Sequence, residues 1–200
     1  KIRTAEFKSL VNQLWGNSGE NSYGKGGMIS ETPIGDLLGR LKLIPDLTTD
    51  RCNPKEVMYI HRKIEDVDVY FVFNQQDKSL NCEILFRMSG KPPEIWDPAT
   101  GSISVPAIYS LEDTQSRIPI SLKPYESKIF VFKKQKPDHS IKSVSLAGQQ
   151  IFPWLKTAAI EQVIPHATWR DGKFEFSGGL SGDYSFGTAD GRSIRLNMTA

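Results

Sequence analysis

Cysteine is scarce in this chain. Two residues in 200, Cys52 and Cys82, exclude a disulfide-dense scaffold and permit at most one bridge. Cys82 alternates with Ile84 and Phe86, which reads as a buried strand thiol in preference to a bridged one. An excess of one charge is also missing. Twenty-five Lys and Arg face 23 Asp and Glu, for a net charge of +2, too little to hold nucleic acid through its phosphates. No apolar run approaches the roughly 18 residues of a membrane span. Convincing helical periodicity is confined to the first fifty residues, which excludes a (β/α)₈ barrel of roughly 200–250 residues. No basic-then-apolar leader stands between Lys1 and the first amphipathic segment, as expected of an excised segment or a mature form.

Several chemistries are missing as well. The three histidines, His61, His139 and His166, contain no pair at metal-ligand spacing, and no calcium loop is present, so no cofactor or metal is expected. Gly24-Lys25-Gly26-Gly27 lacks the spacing of a phosphate loop and reads as a turn. No Gly-x-Ser-x-Gly elbow occurs, and neither cysteine lies in a nucleophile signature.

With 38% hydrophobic and 24% charged residues, the composition is that of an ordinary globular chain. Its patterning falls into three regions: 1–52, 56–134 and 141–200. In the first, Phe7, Leu10, Val11 and Leu14 form one helical stripe stopped by Gly16, and Ile34, Leu37, Leu38 and Leu41 form another. Thr32 is placed to cap the second helix and Pro33 to open it. Between them, residues 23–30 read as a turn entering a short strand. This segment looks like the tail of an α/β unit. Burying a Leu or Phe is worth roughly 1.5–3 kcal/mol, so both stripes are expected to find cover on the sandwich or a second copy, or else to be poorly ordered. A self-sufficient lobe with its own closed core is the alternative.

From residue 57 the period changes to two. Strands are predicted over 57–62, 67–73 and 94–97 and around Ile84, Ile103, Ile120 and Val131, at the spacing of an antiparallel sandwich. Val67, Val69, Phe71 and Phe73 share one face of their strand, with Tyr70 and Val72 on the other. Val69, Phe71, Ile84, Phe86, Ile120 and Val131 are the expected core. Gln135–His139 is the best linker. Beyond it, an alternating strand over 141–146 and hairpin turns at Asp171-Gly172 and Asp190-Gly191 give a second β region. The fold class is therefore mainly β: an antiparallel β-sandwich plus a small second β region, preceded by a short α/β segment.

A glycosidase requires two carboxylates about 5–10 Å apart, and the sequence singles out no such pair among 23 acidic residues. Trp15, Trp96, Trp154 and Trp169 could stack on sugar rings, against the commoner role of packing. His61-Arg62 inside an apolar strand is the oddest local feature. Adjacent residues face opposite ways, so at least one polar group needs a partner, whether structural or a ligand. His61, Arg62 and Trp96 are thus the candidate carbohydrate contacts.

Three runs carry a family resemblance: Tyr59-Ile60-His61-Arg62, the stretch from Asp66 to Gln75 (DVDVYFVFNQ), and the stretch from Phe86 to Gly101 (FRMSGKPPEIWDPATG). They resemble bacterial α-L-rhamnosidases of glycoside hydrolase family 106. Residues 23–29 (YGKGGMI) resemble the last strand before the sandwich of such proteins, and residues 124–132 (PYESKIFVF) its closing strand. The resemblance implies that the catalytic carboxylates and a calcium ion belong to an upstream barrel to which no segment here corresponds, so no catalytic residue is assigned. It further implies a non-catalytic accessory region of a periplasmic or extracellular enzyme acting on rhamnose-containing glycans. Its partners would be the barrel of the same parent chain and a glycan, with no nucleic acid and no membrane span. The alternative is an autonomous carbohydrate-binding β-sandwich module.

Overall fold

The computed structural model describes residues 4–16, 19–134, 139–154 and 163–200. The chain divides into two compact units, Lys1–Ile44 and Pro45–Ala200. In the first, helix α1 (Thr4–Trp15) is followed by the hairpin β1 (Glu20–Tyr23) and β2 (Gly26–Ile29), and then by α2 (Ile34–Arg40). Gly16 ends α1 at φ +66°, a left-handed conformation that costs glycine little. The cap of α2 differs from expectation. Pro33 itself holds the N-cap position without a side-chain cap, and its carbonyl accepts the Leu37 N–H at 3.1 Å, so Thr32 plays no capping part. The two stripes form as helices, yet no residue of either helix is buried, with Phe7 55% and Ile34 68% exposed.

The second unit opens with a sandwich. One sheet has the order β3 (Leu47–Asp50), β6 (Leu80–Phe86), β10 (Ser116–Leu122), β9 (Ser110–Leu111). The other runs β4 (Val57–Ile64), β5 (Val67–Asn74), β11 (Ser127–Phe132), β7 (Pro93–Trp96), β8 (Ile103–Ser104). Every pairing in both sheets is antiparallel. Cys82, Ile84, Phe86, Ile118, Ile120 and Leu122 project from one sheet to meet Tyr70, Val72, Phe130 and Phe132 from the other. Phe86 lies at the centre, 4.9 Å edge-on from Tyr70, 4.8 Å from Phe130 and 5.1 Å from Phe132 between ring centroids.

Ile84, Phe86, Ile120 and Val131 are buried as expected, but β5 is turned by one residue. Its inner face is Asp68, Tyr70, Val72 and Asn74, whereas Val69 is half-buried and Phe71 exposed. Counting apolar side chains picks the wrong face here. The two polar ends of the inner face are tolerated because each is satisfied. The Asn74 amide donates to the carbonyls of Lys78 and Lys123 at 2.8 Å and accepts from the Gln76 N–H, and Asp68 has its own partners.

The cysteines also differ from the reading as thiols: Cys52 and Cys82 form a disulfide. Alternation placed Cys82 correctly on a buried strand face, but it could not show that the loop after β3 returns Cys52 to the same spot.

A third sheet follows, in the order β13 (Gln149–Phe152), β12 (Ile141–Leu146), β16 (Gly182–Thr188), β17 (Ser193–Met198). A separate hairpin, β14 (His166–Arg170) and β15 (Lys173–Ser177), packs on it through Phe174 and Phe176. Asp171 and Gly172 both take positive φ in the turn of that hairpin, as their sequence predicted. The expected linker lies largely in 135–138, outside the described residues. Contacts among the described residues join this region to the sandwich. Residues 106–109 pair with Thr168 and Ile141, and the Trp154 N–H donates to the buried carboxylate of Glu83 at 3.1 Å.

Two outcomes follow for stability. Phe86→Ala should cost about 3–5 kcal/mol in urea unfolding, whereas Phe71→Ala should cost under about 1 kcal/mol, as expected of a side chain already in contact with water. Reducing the Cys52–Cys82 bridge, which closes a 30-residue separation, should lower stability by about 3–4 kcal/mol, read as a shifted urea midpoint with and without a thiol reductant.

Candidate functional site

His61 and Arg62 lie on opposite faces of β4, and Trp96 lies on β7. His61 is turned inward. Its ring stacks on Tyr70 with centroids 4.1 Å apart and planes 5° apart, Nε2 lies 3.1 Å from Asp68 Oδ1, and Nδ1 lies 3.6 Å from Asp46 Oδ2. Arg62 is exposed on the outer face and donates to the His61 carbonyl at 3.2 Å. Trp96 is on that outer face too, but two strands, β5 and β11, intervene between β4 and β7. At strand spacing that separation is about 14 Å. Trp96 donates its indole N–H to Glu94 at 3.0 Å, and the Lys133 ammonium stands 5.5 Å over its ring. The three candidate contacts therefore do not converge.

Around His61 the structure instead builds a charge network. Asp68, fully buried, accepts from Lys91 Nζ at 2.8 Å and faces His61, while Lys91 also donates to the Asp66 carbonyl at 2.6 Å. Burial alone would raise the Asp68 pKa. The hydrogen bonds from Lys91 and His61, together with their charges, outweigh burial and hold the carboxyl below its usual range. Asp46 joins Arg87 to the other side of the imidazole. The Tyr70 hydroxyl beneath has no hydrogen-bond partner among the described residues, and burial pushes its phenol well up.

The second buried carboxylate, Glu83, sits on the far sheet. Its Oε2 accepts from Arg117 at 3.1 Å and from the Trp154 N–H, while Oε1 has no described partner. Burial raises its pKa, and the two donors offset this only in part. Arg117 also binds Asp50 at 2.7 Å and Glu112 at 3.1 Å.

Concave surfaces among the described residues include a groove in the C-terminal region and a cleft beside the sandwich. A broad groove of about 1070 Å³ runs between the β14–β15 hairpin and β17, floored by Phe174, Phe176, Ile194 and Met198, with Trp169 among its lining residues. A smaller cleft of about 180 Å³ opens on the flank of the sandwich. Ile95, Phe130 and Ile108 supply its apolar lining, Asp97, Lys128, Ser102 and Ser104 are polar, and residues 165–167 form a further wall. Lys128 Nζ lies 2.7 Å from both Asp97 and Glu126, which keep it protonated despite burial. The Lys128 hydrogen bond, with N–H donors from Ala99 and Thr100, holds Asp97 ionised. His166 also lines the cleft; the residue is exposed overall, and the partial desolvation of its ring, reinforced by the charge of Lys128, lowers its pKa. Sequence reading passed over this cleft. Its one visible signal is a lysine sharing the inward parity of Phe130 and Phe132 on β11.

Removing Asp68 would leave Lys91 without its buried counter-charge, so Asp68→Ala should cost about 3 kcal/mol. The sign with pH follows from the depressed native pKa. As pH falls through about 3.9 the unfolded carboxyl binds protons first, so the stability Asp68 contributes is complete above about pH 5 and is lost toward pH 2. Urea midpoints of Asp68→Asn and the parent chain should therefore converge at low pH.

Residues 2–110, more than half of the chain, match the glycoside hydrolase family 106 description, alpha-L-rhamnosidase. A Formosa agariphila protein named "Putative beta-glucuronidase" is 31% identical over 137 residues, which is 68% of this chain and 11% of that protein. A solved rhamnosidase from Novosphingobium sp. PP1Y superposes with a TM-score of 0.61 at 26% identity, covering 72% of this chain and 15% of that one. The chain thus spans a small part of the relatives it matches. With the sandwich and its flanking elements in place, the match over 2–110 has one reading: this chain belongs to the α-L-rhamnosidase family of glycoside hydrolases.

Proposed function

We propose that these residues form a non-catalytic accessory region of a glycoside hydrolase acting on rhamnose-containing glycans. The region scaffolds a catalytic barrel that lies elsewhere in the parent chain. It is organised as 1–52, 56–134 and 141–200, and the parent works in the periplasm or outside the cell. The observation that carries this reading is the state of the buried carboxylates. A glycosidase acid must reach a glycosidic oxygen and exchange a proton with it. Glu83 has the raised pKa of such an acid but is fully buried, with one oxygen committed to Arg117 and the Trp154 N–H. Asp68 is held ionised between Lys91 and His61. Both serve the scaffold. The limited share of each relative that the chain covers supports the same reading.

A second reading, an autonomous carbohydrate-binding module, is favoured by the cleft lined by Asp97 and Lys128, which has the mixed polar and apolar character of a small-ligand site. In that reading His61 serves the ion-pair network, Trp96 holds Glu94 and Lys133, and Arg62 stays exposed on the outer face away from the cleft.

The purified 200-residue chain should not hydrolyse an aryl α-L-rhamnoside, as judged by release of the chromogenic leaving group. Turnover that survives repurification and disappears in Glu83→Gln, or in another single carboxylate variant, would overturn the accessory role.

A further inference from the structure

We infer that the 180 Å³ cleft on the sandwich flank is a binding site for a single neutral pyranose, recognised by Asp97, Lys128, Ser102, Ser104 and His166 beside the apolar surface of Ile95, Pro106 and Pro119. This deepens the carbohydrate-handling reading above and rests on it.

The size comes first. At about 30 Å³ per water, the cleft holds the equivalent of about six waters, room for one sugar ring and not for two. The polar groups come next. A sugar hydroxyl both donates and accepts, so it is matched by a wall presenting both kinds of group. Asp97 Oδ2 accepts and Lys128 Nζ donates; Ser104 Oγ, whose proton goes to the Ile95 carbonyl, can accept, Ser102 Oγ shares a hydrogen bond with Thr100 and keeps further capacity, and an uncharged imidazole offers one donor and one acceptor. The Lys128–Asp97–Glu126 contacts fix the first two without help from a ligand, so the site is built before anything binds.

Charge then selects among ligands. Asp97 lines the cleft and Glu126 holds the same ammonium from outside its lining, so Lys128 is doubly paired and offers no unpaired positive charge to an anion. That disfavours phosphate, sulfate and sugar acids, and leaves a neutral polyol. The partly exposed Ile95, Pro106 and Pro119 offer apolar surface to the C–H face of a pyranose, whereas Phe130 and Ile108 are themselves buried.

The larger groove beside β17 makes a weaker site. Its floor of Phe174, Phe176, Ile194 and Met198 packs against buried residues of the third sheet, and Phe176 lies 4.3 Å from Phe186 between ring centroids. It has the character of a core edge.

The test is a titration of the ¹⁵N-labelled 200-residue chain with L-rhamnose, D-glucuronate and inorganic phosphate in turn, followed by NMR. L-rhamnose should give saturable shifts at the backbone amides of Ser102 and Ser104 and at the His166 ring, in roughly the millimolar range expected of so small a ligand. D-glucuronate should bind more weakly, and phosphate should leave these signals in place. His166→Ala should weaken L-rhamnose about fivefold to tenfold, the loss expected of a single hydrogen bond. Ser104→Val provides the same reading at the opposite wall should the first variant fold poorly. Trp169→Ala, in the larger groove, should change nothing. The inference is overturned by an absence of saturable shifts with L-rhamnose, by shifts centred on Trp169 and Phe174, or by tighter binding of D-glucuronate or phosphate than of L-rhamnose. Absent binding together with absent hydrolysis would remove the cleft and keep the accessory role; hydrolysis by this chain would remove the accessory role whatever the cleft does.

Discussion

The contact of Phe86 with Tyr70, Phe130 and Phe132 is the interaction on which the sandwich depends. These rings come from β6 in one sheet and from β5 and β11 in the other, so the cluster is where two separate hydrogen-bonded ladders become one body. Edge-on and tilted ring geometry adds to the area buried, and the cluster fixes register. A slip of one residue in β5 would exchange Tyr70 and Val72 for Val69 and Phe71 and remove the edge-on partner of Phe86 from that strand.

Around that apolar centre, polar groups mark the margins of the sandwich. Asp68 and Asn74 stand at the two ends of the inner face of β5, and Lys128 stands at the start of the inner face of β11. Each is satisfied by specific partners rather than by water: Lys91 and His61 for Asp68, backbone carbonyls for Asn74, and two carboxylates for Lys128. Such groups stabilise little beyond their own desolvation cost. They do penalise any packing that removes a partner, and so they specify one arrangement. At the Lys128 margin the sheets part far enough to leave a polar cleft, so the same constraint that ends the core provides the candidate binding surface.

Glu83 does a similar task between the sandwich and the C-terminal β region. Its fully buried carboxylate receives a backbone N–H from Trp154 and a guanidinium from Arg117, while residues 106–109 pair with both Ile141 and Thr168. A charge sealed in this way is a poor proton donor to a substrate and a strong positional constraint. Chemical catalysis and structural anchoring make opposite demands on a buried carboxylate, and the geometry around Glu83 meets the second.

Local pattern in the sequence determined most of the strands. Alternation found β5, β6, β10, β11 and β12, and Asp171-Gly172 announced its hairpin, because side-chain parity and positive-φ turns are properties of a few neighbouring residues. The family runs between residues 59 and 101 were legible for the same reason. Tertiary structure alone decided which face of β5 is inside, because the answer depends on Lys91 and Lys123, 23 and 49 residues away from Asp68 and Asn74. It alone joined Cys52 to Cys82, separated Arg62 from Trp96 by two strands, and turned His61 inward onto Tyr70 and Asp68. It also gathered Asp97, Lys128 and His166 around one cleft from positions far apart in the chain. Sequence periodicity reports the direction of a side chain relative to its own strand, whereas a site requires knowing which strands meet, and that is set by the packing of the whole.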